Sequence, residues 1–218
     1  MKFSSKCRLC ARLSTFLDEV KSAHPAYYAK PVPSFGDADA RLLIVGLAPG
    51  MNGANRTGRP FTGDYAGNLL YSTLHQFGFS SNGEPLDVDG QANAKLVLSN
   101  CRITNAVRCL PPQNKPEPNE IKLCNGYLAG ELEMLPQGAA ILALGTIAHQ
   151  AVLRASGLRA KDYGFAHGAQ HVLPNGLHFY DSYHCSRYNT QTKRLTTPMF
   201  HAVFESINAY LESARFRP

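Results

Sequence analysis

An α/β/α sandwich, three layers built on a central four-stranded parallel sheet, is the fold class this sequence predicts. Three observations carry the prediction. Four short apolar runs read as buried strands, each is followed by a stretch with helical apolar periodicity, and the densest polar and glycine-rich segments fall where strands end. Strands that alternate with helices imply parallel pairing with helices on both faces.

The elements follow in chain order. Arg41 to Gly46 (RLLIVG) is a continuous apolar run of strand length. Ala66 to Phe77 places Leu69, Leu70, Leu74 and Phe77 on one helical face. Ile103 to Val107 is a short strand, and Pro111 to Pro118, with four prolines in eight residues, is an extended loop because each proline disfavours helix before it. Asn119 to Leu135 is a helix with Asn119 as its N-cap. Ala139 to Leu144 is the third strand, Thr146 to Ala155 the helix after it, and Leu177 to Tyr183 the fourth strand. Pro198 to Arg215 closes the chain as a helix, with Thr197 as N-cap, Pro198 at its first position, and Val203, Ile207 and Leu211 at a spacing of four.

Composition fits this scheme. The chain has 218 residues, 44% of them hydrophobic and 17% charged, enough for one domain spanning residues 1–218 with a full core. The longest apolar run, Ala139 to Leu144, is far below the roughly 20 residues that span a bilayer. Met1 to Leu17 is interrupted by Lys6, Arg8 and Arg12, so it lacks the apolar segment of a signal peptide. A cytoplasmic protein without membrane contact is expected. A net charge of +6 and a pI near 9.0 suit a polyanionic partner, since Lys and Arg that neutralise phosphates release counterions.

Six cysteines are present. Cys7 and Cys10 form a C-x2-C pair, Cys109 and Cys124 are separated by fourteen residues, and Cys101 and Cys185 stand apart. A reducing cytosol disfavours disulfides, which leaves metal ligation as the leading reading of the first four. Zinc and iron–sulfur both accept four thiolates, and the wide second pair tilts the reading towards iron–sulfur. Cys101 and Cys185 read as buried apolar thiols.

Ligands of open parallel sheets sit at the carboxyl ends of the strands. The segments to inspect are therefore Leu47 to Asp64, Asn105 to Cys109, Gly145 to His149, and His184 to Arg194. The first of these fails the phosphate-loop pattern, because Asn55 and Arg56 stand where glycine and lysine are required, and no G-x-G-x-x-G follows the strand. What remains, counted from Gly46, is a stretch with five glycines that brings backbone N–H groups close to a flat ligand, with Phe61 and Asp64 as a stacking surface and a polar group. The plainer alternative makes Phe61 a core residue and Asp64 an N-cap.

GLAPGMNGANRTGRPFTGD, TNAVRC with a cysteine fourteen residues beyond its own, and YHCSRYNTQTKRLT together resemble the motifs of the uracil-DNA glycosylase superfamily, in its iron–sulfur type 5, or b-type, branch. The resemblance runs from Cys7 to about Pro198. It implies flipping of a damaged base out of DNA and hydrolysis of its N-glycosidic bond, with uracil as the main target and hypoxanthine or xanthine as further ones. It implies Phe61 as the stacking residue, Asn105 as reader of the base edge, and His184 as donor to a base carbonyl as charge develops. Gly46, Gly50 and Met51 would line the base pocket, and Asp64, or else Asn105, would position water.

Leu47 stands where the sister type 4 branch has a glutamate, Asn52 where a histidine is common, and Cys185 where a proline is common. Ser186, Arg187, Lys193 and Arg194 would hold DNA phosphates, with Leu195 as a wedge in the vacated stack; the alternative is a solvated basic loop. Cys7, Cys10, Cys109 and Cys124 match the ligands of a [4Fe–4S] cluster. Duplex DNA is the expected partner, with single strands as a second candidate and a monomer as the expected state. The competing hypothesis is a non-catalytic nucleic-acid-binding iron–sulfur or zinc module, which has no need for Phe61, Asn105 and His184 together.

Overall fold

The centre of the sheet forms because the strands at Leu42–Gly46 and Ala140–Leu144 are apolar on both faces, and a strand of that kind is stable only between two layers of helix. The computed structural model describes residues 2–213. Its strands are β1 (Phe35–Gly36), β2 (Leu42–Gly46), β3 (Cys101–Asn105), β4 (Ala140–Leu144), β5 (Gln170–Val172) and β6 (His178–Ser182), ordered β1-β3-β2-β4-β6-β5. The four central strands are parallel, as expected. The sheet has six strands rather than four, because β1 pairs antiparallel with β3 at one edge and β5 with β6 at the other.

Helices α1 (Ala11–Ala23), α2 (Ala54–Thr57), α3 (Tyr65–Gln76), α4 (Pro118–Glu133), α5 (Thr146–Ala155), α6 (Arg187–Gln191) and α7 (Thr197–Ser213) complete the fold. Arg215, the expected end of the last helix, lies outside the described residues. Strand side chains alternate between faces. Leu42 and Ile44 of β2 therefore pack with Leu70 and Leu74 of α3 and Phe204 and Ile207 of α7. Leu43 and Val45 face the opposite way, onto Leu128 of α4 and Val152 of α5.

Three local expectations are corrected. β3 ends at Asn105 instead of running on to Val107. Helix α4 begins at Pro118, and its N-cap is Glu117, in a capping box with Glu120, instead of Asn119; proline at the first helical position fixes the start one residue early. Thr197 is the first residue of α7. Among the described residues no helix is long and apolar enough to cross a membrane.

Candidate active site

The register of β2 and β3 sets Gly46 beside Asn105 at the carboxyl ends of adjacent strands. A side chain at position 46 has no room there. A Cβ would stand 2.4 Å from Asn105 Oδ1 and 2.6 Å from Phe61 Cζ, so glycine lets the amide and the ring approach one another. Phe61 adopts a left-handed φ of 55°, which a bulky residue takes only when its surroundings hold it there. They do so from two sides. The Phe61 carbonyl rests on Gly67 of α3, where a Cβ would come within 1.8 Å, and the Tyr71 hydroxyl donates to the Pro60 carbonyl at 2.8 Å.

His184 follows β6 and stacks with Phe61 at a centroid distance of 5.9 Å. Burial pushes its pKa down to about 4, so the imidazole is neutral near pH 7 and carries one N–H to donate. Its position is fixed through the backbone. Asn189 Nδ2 donates to the His184 carbonyl at 2.8 Å, and the Ser186 hydroxyl caps α6 by accepting from the Asn189 N–H. Outside this group lies a cleft of about 510 Å³, whose walls include Leu47, Gly50, Asp64, Tyr65, His184 and Arg187.

Asp64 occupies the position before α3, yet its carboxylate makes no capping bond to that helix. It turns into the glycine loop instead. There it accepts backbone N–H groups of Ala54 and Gly50, and it packs so closely on Gly53 that a Cβ would meet Oδ2 at 1.8 Å. Burial raises its pKa, although those N–H groups and Arg56 pull the other way. The loop glycines therefore serve the carboxylate: they leave space for it and present donors to it.

A family profile described as the Uracil DNA glycosylase superfamily matches residues 33–212. This chain belongs to that superfamily. It is 49% identical over 199 residues to the type-5 uracil-DNA glycosylase of Thermus thermophilus, an alignment covering 89% of each chain. It is 40% identical over 208 residues to the type-5 uracil-DNA glycosylase of Mycobacterium leprae, covering 92% of this chain and 89% of the other. The type-4 uracil-DNA glycosylase of Pyrobaculum aerophilum is 32% identical over 143 residues, 65% of this chain.

Within this superfamily member, Gly50, Asp64, His184, Ser186 and Arg187 line the cleft, with Gly46, Phe61 and Asn105 packed together behind them. The side chain of Met51 packs against the group that includes Leu17 and Val20 of α1. Lys193 and Arg194 are exposed, and Arg194 lies over the Tyr183 ring at 4.7 Å. The wedge expectation for Leu195 is overturned, because this side chain is fully buried in the core formed with Phe200 and anchors the loop end. Exposed Tyr188 on α6 is the large side chain that the same loop offers to a partner. Sequence reasoning passed over Tyr65, one residue beyond the segment Leu47 to Asp64, and Asn114, which comes from the proline-rich loop, as cleft residues. Cys185 is buried, and burial pushes its thiol up to about 12, which makes it unreactive.

The four remaining cysteines come together from three segments. Cys7, Cys10, Cys109 and Cys124 line one cavity with Leu13, Val107 and Tyr127. Burial raises the Cys109 thiol, and the neighbouring Cys124, Cys7 and Cys10 raise it further, because four adjacent sulfurs ionise together only around a cation. The Arg108 N–H donates to Cys124 Sγ at 3.3 Å, a bond that favours thiolate at that sulfur. Among the described residues, no three His, Cys, Asp or Glu side chains converge as a single ion demands.

Proposed function

We propose that this chain is a monofunctional DNA repair glycosylase that extrudes uracil from DNA and hydrolyses its N-glycosidic bond, leaving an abasic site. The single observation that carries the reading is the convergence of Phe61, Asn105 and His184, from three separate segments, at the carboxyl end of the parallel sheet. Its support is the naming of the Thermus and Mycobacterium relatives as type-5 uracil-DNA glycosylases.

In this reading the extruded base lies against Phe61, and the Asn105 amide donates to a base carbonyl while accepting from the ring N–H. As the C1′–N bond breaks, its electron pair passes to the base. Neutral His184 donates its N–H to a base carbonyl oxygen and stabilises the anion. Water then adds to C1′ and loses a proton. Asp64, in the cleft wall, orients that water, and orientation without strong base catalysis suffices if the sugar cation forms before water attacks. Apolar Leu47 in the cleft wall favours acceptance of hypoxanthine and xanthine as well as uracil. Arg187, Lys193 and Arg194 grip phosphates of duplex or single-stranded DNA, and Tyr188 takes the place expected for Leu195 in filling the vacated stack.

Cys7, Cys10, Cys109 and Cys124 would hold a [4Fe–4S] cluster, which joins the N-terminal segment to the sheet and has no hydrolytic step. Brown protein with absorbance near about 400 nm is expected, and stoichiometric zinc without that colour would refute the cluster. Residues 1–218 act as one domain, supported by the packing of Cys7 and Cys10 against Val107 and Tyr127. The function is tested by alkali-induced nicking of duplexes carrying uracil, hypoxanthine or xanthine. Uracil-dependent nicking is expected, and inert protein on every lesion would overturn the proposal.

A further inference from the structure

Arg108 stands in the TNAVRC segment between the base-edge reader Asn105 and the thiol Cys109, and its guanidinium is almost completely buried, with 2% of the side chain exposed. An unpaired cation would be costly there. Arg108 Nη2 donates to Glu131 at 3.0 Å and Nη1 to Ser34 Oγ at 2.7 Å, while the guanidinium lies 5.2 Å from the centre of the Phe3 ring. Glu131 also accepts from Arg102 Nε at 2.6 Å and from the Ser34 hydroxyl. Two guanidiniums thus share one carboxylate, so the cluster of charges is net positive. Arg108 Nε, fully buried, has no hydrogen-bond partner among the described residues.

Arg108 lines the same cavity as the four thiols, and its positive charge favours thiolate at Cys124. The backbone N–H of the same residue donates to Cys124 Sγ, and α4 carries both Cys124 and Glu131. Arg108 therefore clamps its segment to α4 twice, at the sulfur and at the carboxylate. On the other side, the N–H groups of Ala106 and Val107 donate to the carbonyls of Gly46 and Leu47, the first residues of the pocket loop.

We infer that Arg108 is the buried counter-charge of the four-thiol site and the positioning residue that ties that site to Asn105. The inference rests on the proposed reading of the thiols as ligands. A group bound by four thiolates carries excess negative charge, and a guanidinium beside it stabilises the thiolates and favours the more reduced state of a cluster.

The test uses holoprotein carrying Arg108→Gln, Arg108→Lys or Glu131→Gln, with metal and sulfide content of the wild type measured first. Arg108→Gln leaves Glu131 still held by Arg102 and Ser34, so the fold should survive. It is expected to move the cluster's reduction potential downward and to speed metal loss to a chelator by about ten- to a hundredfold. Glu131→Gln removes negative charge and should move the potential of its intact fraction upward. Arg108→Lys should restore the potential. On uracil-containing DNA, Arg108→Gln should lower kcat with little change in KM. Shifts of the same sign in Arg108→Gln and Glu131→Gln, or no shift in Arg108→Gln, would overturn the counter-charge. An unchanged kcat would overturn the tie to Asn105. If the wild type holds zinc, the cluster reading fails while the inference stands or falls on chelator-driven loss: faster in Arg108→Gln with rescue by lysine supports it, and equal rates overturn it.

Discussion

Asn105 and Asp64 are both polar groups close to the pocket, but they are held differently. The Asp64 carboxylate is packed into the loop against Gly50 and Gly53, whose neighbouring N–H groups favour its charge, whereas the Asn105 side-chain amide lies at the strand end beside Gly46 with no hydrogen bond among the described residues. Asn105→Ala should therefore cost about 10²-fold or more in single-turnover excision on a uracil duplex, a larger loss than Asp64→Ala. The reverse ranking would hand the leading role to the carboxylate. His184 adds a pH signature. Its folded pKa of about 4 lies below the ordinary 6.5, so between those values the unfolded chain binds more protons than the folded one. The His184 contribution is present above 6.5 and is lost as pH falls towards 4. Thermal unfolding followed across that window should show stability falling with acid, and His184→Gln should flatten part of the fall. An activity limb centred near 6.5 and abolished in His184→Gln would contradict the burial of this ring.

At the scale of elements, helix α3 is shaped around the pocket. Glycine inside a helix ordinarily costs about 1 kcal/mol relative to alanine. Gly67 reverses that expectation, because a methyl group there meets the Phe61 carbonyl at 1.8 Å. Gly67→Ala should lower the melting temperature by several degrees and weaken excision, and a stabilised variant would show that the Phe61 turn yields freely. The two innermost strands were legible in the sequence because LLIVG and AILAL are apolar at every position, as two-sided burial requires. The edge strands were not, since β1 is two residues long and β5 has an exposed, mixed composition. Helix α1 was hidden behind its cysteines, although Leu13, Leu17 and Val20 sit at helical spacing and are buried. In the site, glycine and motif patterns revealed Phe61, Asn105 and His184. Leu195 misled because its basic neighbours suggested DNA, while a lone leucine in a polar loop often marks an anchor into the core.

The whole molecule joins three things that lie far apart in the chain: the N-terminal segment, the sheet's carboxyl edge and the loop after β6. Met51 of the pocket loop and Cys109 of the thiol site pack on the same group that includes α1 side chains, so if the thiols hold the proposed cluster, removing it should loosen the pocket as well as the N-terminus. Chelator-treated protein is expected to melt at lower temperature and to lose uracil excision, and apoprotein with full activity would separate the two sites. The basic surface has its own readout. If Arg187 and Lys193 each meet a phosphate, replacing both by alanine should reduce the slope of log Kd for DNA against log salt by about 2, and an unchanged slope would place the contacts elsewhere.

The short antiparallel strands at the two rims of the sheet have a consequence for the protein in solution. A parallel sheet that ended on β3 and β6 would present two five-residue ladders of unpaired N–H and C=O groups, a template on which another chain could grow. Here one rim is covered by two residues, one of them a glycine at φ 118°, and the other by three. Neither cover is long enough to nucleate a further strand. The growth of intermolecular sheet is opposed by elements too small to be noticed in the sequence, and a strongly apolar core is thereby kept from extending its sheet into a neighbouring molecule.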